Sequence, residues 1–138
     1  MAVDKCEPAV IRAFEKEGWH LVARPYTLFI PEEYGFIFID LELQRDDQTI
    51  AIVEVKCFTT RTFLSEFYHA IGQYVFYRNC LHYQNIHKDL YLSIPAHIHQ
   101  TEFSRVAIQH TLLDVKLNLV VIDIYTEVIT QWLPSTTS

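Results

Sequence analysis

Glycine is scarce in this chain, three in 138 residues, and together with five prolines it leaves no stretch that reads as an interdomain linker. No apolar run approaches the ~20 residues of a membrane-spanning helix, and the opening MAVDKCEPAV does not resemble a signal peptide. Cysteine is limited to Cys6, Cys57 and Cys80, an odd number, widely spaced and without a CxxC. That pattern argues against a disulfide framework and for a reduced, cytosolic protein. Positive charge is also short: 11 Lys and Arg against 17 Asp and Glu give a formal charge of −6. Such a balance weighs against tight, sequence-independent DNA binding, whose affinity comes from Lys and Arg neutralising phosphates. It leaves room for a nuclease acting with a basic partner subunit.

What is present is apolar. Half the residues are hydrophobic and 14% are aromatic, enough for one domain over residues 1–138 with a real core and a polar tail at 134–138. Residues 5–17 read as an amphipathic helix with Cys6, Val10, Ala13 and Phe14 on one face, Asp4 as N-cap and Gly18 as terminator. Residues 19–30 read as extended and interrupted at Pro25, with a turn at 31–35. From Thr62 to Tyr83 the period becomes helical through Leu64, Phe67, Ile71, Tyr74, Val75, Arg78 and Leu81. Gly72 inside that helix suggests close packing against a sheet. A buried strand at 90–95, a polar helical stretch at about 102–116 and strands at 118–125 and 128–133 complete an α/β sandwich around a mixed sheet.

The chemistry concentrates in two alternating runs, FIFIDLEL (36–43) and TIAIVEVKCF (49–58). In the first, Ile37, Ile39, Leu41 and Leu43 share one face, with Asp40 and Glu42 opposite. In the second, Ala51, Val53, Val55 and Cys57 share one face and Glu54 and Lys56 the other. A hairpin loop of Asp46, Asp47 and Gln48, with Arg45 facing Thr49, makes the apolar faces coincide and sets Asp40 opposite Glu54. A two-residue loop mismatches the faces. Two carboxylates with Cβ atoms roughly 5 Å apart repel each other unless a cation intervenes. Mg²⁺ is held by one or two carboxylates plus water and phosphate, so Asp40 and Glu54 with Lys56 beside them suit phosphodiester cleavage. Gln73 and Tyr77, four apart on the long helix, share a face that can pack across that strand.

Asp40, Glu54-Val-Lys56 and Gln73-x-x-x-Tyr77 on strand, strand and helix resemble the PD-(D/E)xK nuclease superfamily. That resemblance implies a restriction-endonuclease-like mixed β-sheet flanked by helices. It also implies Mg²⁺ or Mn²⁺ held by Asp40, Glu54 and the Val55 backbone carbonyl, with Lys56 and Gln73 in catalysis and DNA as substrate. Glu7, or less readily Glu15, would add a supporting carboxylate, and Tyr77 would support Gln73. A resemblance over nearly the whole chain is to the XisH-like family, named for control of fdxN-element excision in cyanobacteria. It is carried by AFEKEGW (13–19), IDLEL (39–43), IVEVKCF (52–58), SEFYHAIGQYVFYRNCL (65–81), LYLSIP (90–95) and VIDIYTEVITQWL (121–133). This implies a partner of the XisI type, with either an endonuclease-like or an accessory role. The sequence departs from that family at Glu42 (usually Gly), Gln44 (usually Glu), Cys57 (usually Ser) and Glu7 (near a usual His), and its loop at 45–48 is shorter. Aromatic content along the long helix, including Phe63, Phe67, Tyr68, Tyr74, Phe76 and Tyr77, leaves room for a homodimer. His97 and His99 could offer two metal ligands on one strand-like face, but a zinc site needs three or four and no third is evident nearby, which weighs against one.

Overall fold

A computed structural model describes residues 5–134. The N-cap expected at Asp4 and the tail from 135 onward lie outside the described residues. Helix α1 (Glu7–Lys16) buries Val10, Ala13 and Phe14 and stops at Gly18, whose φ of +87° suits glycine. The amide of Gly18 donates to the Glu15 carbonyl at 3.1 Å and that of Trp19 to the Phe14 carbonyl at 3.1 Å, the paired bonds of a Schellman ending. Strands β1 (His20–Ala23) and β2 (Tyr26–Ile30) flank Pro25, as expected, and β3 (Gly35–Ile39) follows the turn. Next come β4 (Leu41–Asp46), β5 (Thr49–Val55), the long helix α2 (Phe63–Tyr83) and β6 (Asp89–Pro95). Helix α3 (Ala96–Thr101), a short 3₁₀ turn (Glu102–Ser104) and helix α4 (Val106–Val115) lead to β7 (Leu119–Asp123) and β8 (Val128–Leu133).

The expected mixed sheet is present: six strands in the order β1-β4-β5-β6-β7-β8, parallel along β5-β6-β7 and antiparallel elsewhere. Strands β2 and β3 form a separate antiparallel ribbon. Among the described residues, two apolar clusters lie on the two faces of the large sheet. One gathers Val10, Ala13 and Phe14 of α1 with Leu41, Leu43, Ala51, Val53 and Val55. The other gathers Phe67, Tyr74 and Leu81 of α2 with Ile52, Leu92, Val121 and the inner ribbon residues Leu28, Ile30 and Ile39. Alternation along β5 is the cause: successive side chains point to opposite faces, so Ile52 joins one cluster and Val53 the other.

The structure corrects several expectations. The run 36–43 is not one strand but breaks at Asp40, so Ile39 packs on the α2 side while Leu41 and Leu43 pack on the α1 side. The loop after β4 is two residues, with Asp46 paired to Thr49, and an irregularity between Gln44 and Asp46 absorbs the odd residue at Arg45. Gly72 does not serve close packing. It is exposed, and a Cβ added there meets no atom within 4 Å. Leu64, placed on the buried stripe by periodicity, is 55% exposed, because Phe63, one position earlier, turns inward instead. His97 and His99 sit on helix α3 rather than a strand; two apart on a helix, they do not face each other. Cys6 and Cys57, expected reduced, form a disulfide. The first turn of α1 docks beside the end of β5 and brings their Cα atoms to 5.7 Å, within bonding range. Cys80 remains a free, buried thiol, its pKa raised by that burial.

Candidate active site on the β4–β5 hairpin

The pairing of Leu41 with Val53 carries the register onward to Asp40 beside Glu54. The contacts there are specific. The Val55 amide donates to Asp40 Oδ2 at 2.8 Å, and the Asp40 amide approaches Glu54 Oε1 at 3.4 Å. A side-chain oxygen of Asp40 therefore accepts from the main chain of β5 at the point where the strand break occurs. Beyond that point β3 leaves the large sheet and pairs with β2.

Lys56 follows at the end of β5, with Nζ 3.5 Å from Glu54 Oε2. Glu54 is only 7% exposed. Burial first, then the neighbouring Asp40 charge, push its carboxyl up to about 7, against the opposing pull of Lys56. One carboxylate of the pair is thus held poorly as an anion when no cation accompanies it.

Helix α2 supplies the other wall. It is pinned at Tyr74, whose hydroxyl donates to the Leu90 carbonyl at 3.2 Å and accepts from the Asn118 amide at 3.1 Å. One turn later, Arg78 Nη1 donates to the Val115 carbonyl at 2.7 Å. With the helix fixed, Gln73 Nε2 donates to the Tyr77 hydroxyl at 3.2 Å. The phenol of Tyr77 is pushed up to about 12 by burial, with the charges of Glu54 and Asp40 adding to the effect. Tyr77 therefore feels both carboxylates. Gln73 Oε1 is buried and has no hydrogen-bond partner among the described residues. Leaving such an acceptor unmade is costly, on the order of 1–3 kcal/mol.

Asp40, Glu54 and Lys56 thus lie together at the end of β5, Tyr77 is within electrostatic reach of both carboxylates, and Gln73 joins them through Tyr77. Glu7, buried in the first turn of α1, has its carboxylate accepting from Arg24 Nε at 2.6 Å. The Cys6–Cys57 bond ties the first turn of α1 to the residue after Lys56. Glu15, farther along that helix, is exposed. Sequence reasoning passed over two features. Glu42 is buried and ion-paired with Lys88 at 2.7 Å, and only its alternation with Asp40 along 36–43 could have signalled it. A cleft of about 450 Å³ opens beside Lys56, lined by Thr59, Ser65, Glu66 and His69. Its loop is held by the Thr59 amide donating to Glu66 Oε1 at 2.8 Å. No cluster of three or more His, Cys, Asp or Glu side chains suited to a metal occurs among the described residues, so any ion here would rely on two carboxylates. No described helix is long and apolar enough to cross a membrane.

Comparison with known proteins agrees with this architecture. A crystal structure of an XisH family protein from Nostoc punctiforme PCC 73102 superposes with a TM-score of 0.83 at 29% identity, covering 94% of this chain and 98% of that one. A fdxN element excision controlling factor protein from Anabaena variabilis gives a TM-score of 0.82 at 29% identity, covering 92% and 96%. No curated protein matches the sequence. The XisH protein family model matches residues 1–130, and the chain belongs to the XisH family.

Proposed function

We propose that this chain is a metal-dependent, endonuclease-like protein acting on DNA during rearrangement, in line with the excision-control role named for its Anabaena relative. The observation that carries the reading is the convergence of Asp40 and Glu54, with Lys56 Nζ 3.5 Å from Glu54. The donor set fits a hard divalent cation. Two oxygens of like charge sit together in a buried place, one of them with its pKa raised, and the orphaned Gln73 Oε1 is an acceptor suited to a coordinated water. Asp40, Glu54 and the Val55 carbonyl would hold Mg²⁺ or Mn²⁺, which supplies water activation and charge neutralisation. Lys56 places a positive charge where the phosphate gains negative charge. Gln73 orients the water, Tyr77 fixes the Gln73 amide, and Glu7 supports the site from the first turn of α1.

A second reading is an accessory subunit that works through an XisI-like protein partner with little cleavage of its own. The net charge of −6 favours it, because unaided phosphate binding is then weak. Nicking of supercoiled plasmid with Mn²⁺ separates the two. Under the first reading wild type nicks, and Glu54→Ala and Lys56→Ala each lose at least about two orders of magnitude, as expected when a charge-stabilising group is removed. Equal nicking by all three proteins, or none by wild type with or without the partner, contradicts it.

A further inference from the structure

The β2–β3 ribbon differs from the rest of the molecule in what it leaves uncovered. Its inner residues Leu28, Ile30 and Ile39 are buried in the α2-side core. Its outer face presents Phe29, Phe36 and Phe38, each more than half exposed, with the Phe29 and Phe36 rings 5.0 Å apart. Tyr34 extends this face to Phe76 of α2, with ring centroids 6.1 Å apart. Neither strand, YTLFI nor GFIFI, carries a charged residue, and their five pairs run without a bulge. Among the described residues no third strand pairs with either edge. The large sheet is protected at both ends: β1 has four residues and an irregular register, and the β8 pairing is also interrupted. Edges and faces that are regular, apolar and uncharged are association sites unless something covers them.

We propose that a second copy of this chain covers the ribbon, the two aromatic faces packing about a two-fold axis. Area favours this occupant. At ~200 Å² for a fully exposed ring, the exposed fractions of Phe29, Tyr34, Phe36, Phe38 and Phe76 amount to about 550 Å² per copy. Two copies then bury about 1,100 Å² before any polar rim is counted, which passes the ~1,000 Å² expected of a specific interface. Charge favours it too. Two copies of net charge −6 meet here without juxtaposing carboxylates, because neither strand carries one. Antiparallel packing sends the two turns, with Glu32 and Glu33, to opposite ends. An isologous contact also closes on itself, so it yields a dimer and not a filament. The inference rests on this surface alone and stands apart from the question of cleavage.

Sedimentation velocity over a concentration series tests it on the full chain, with circular dichroism as the check on folding. The expected result is a species of twice 16.3 kDa for wild type and the single-chain mass for Phe36→Lys and Phe38→Lys, with unchanged spectra. Should either lysine variant lose its fold, Thr27→Lys, exposed and paired opposite Phe38, carries the test in its place. A wild-type monomer at every concentration, a dimer that survives in the folded variants, or a mass that grows without limit overturns the proposal. So does a chain that is monomeric alone and shields this face only with a different protein.

Discussion

The two faces of the β4–β5 hairpin come from the same two strands in one register, yet they do different things. On the α1 side, Leu41, Leu43, Ala51, Val53 and Val55 are at most 2% exposed and cluster with apolar residues of α1 and β7 and with Trp19. On the α2 side the same strands carry Glu42 and Glu54, each only 7% exposed, on the face that Ile52 presents to the α2-side core. The first face is a core and the second is a core interrupted by charge. Burying a carboxylate costs several kcal/mol unless it is paired. Glu42 meets that cost with Lys88, whereas Glu54 is left between Asp40 and a more distant Lys56. The difference teaches where the fold tolerates strain, and it is at the proposed chemistry.

Truncation on the dry face sets the upper end of the scale. Leu41→Ala, at a fully buried position, is expected to lose about 2–5 kcal/mol in urea unfolding. A loss below about 1 kcal/mol would show that this face is less closely packed than the structure indicates.

On the charged face the effect depends on pH. The folded state holds the Glu54 proton more tightly than the unfolded chain does, with the pKa raised from 4.5 to about 7. The resulting stability is fully present below pH 4.5 and is lost as pH rises through about 7. At most it amounts to about 3 kcal/mol, the free-energy equivalent of the shift. In chelator, wild type is expected to weaken over that window while Glu54→Gln stays flat. Parallel curves for the two proteins would remove Glu54 as the source.

The smallest change lies on α2 outside either face. Gly72 is exposed and has space for a methyl group, so Gly72→Ala is expected to raise stability by about 1 kcal/mol. A loss on the same thermal-melt assay would mean that the added methyl meets an obstacle.

Much of this contrast was legible in the sequence. Period-two alternation placed Ala51, Val53 and Val55 on one side of β5 and Glu54 and Lys56 on the other, and matching the faces aligned Asp40 with Glu54. Their four-residue spacing put Gln73 and Tyr77 on one face of α2, where they hydrogen-bond to each other. What alternation could not show was the break at Asp40. At that break a side chain accepts a main-chain hydrogen bond, a contact that leaves no hydrophobic signature. The loop length failed for a related reason, since a bulge restores register without any change in the polar pattern. The Cys6–Cys57 bond depends on how α1 docks on the sheet, and the spacing of three cysteines carries no information about that. The Glu42–Lys88 pair likewise joins residues 46 apart in the chain.

The charged face is most directly tested by calorimetric titration of Mn²⁺ into wild type and Glu54→Gln at pH 7.5, both checked for folding. The expected result is saturable binding at one site in wild type and its loss in Glu54→Gln. Identical isotherms for the two proteins, or no binding heat in wild type, would contradict the assignment of Asp40 and Glu54 as a metal-binding pair.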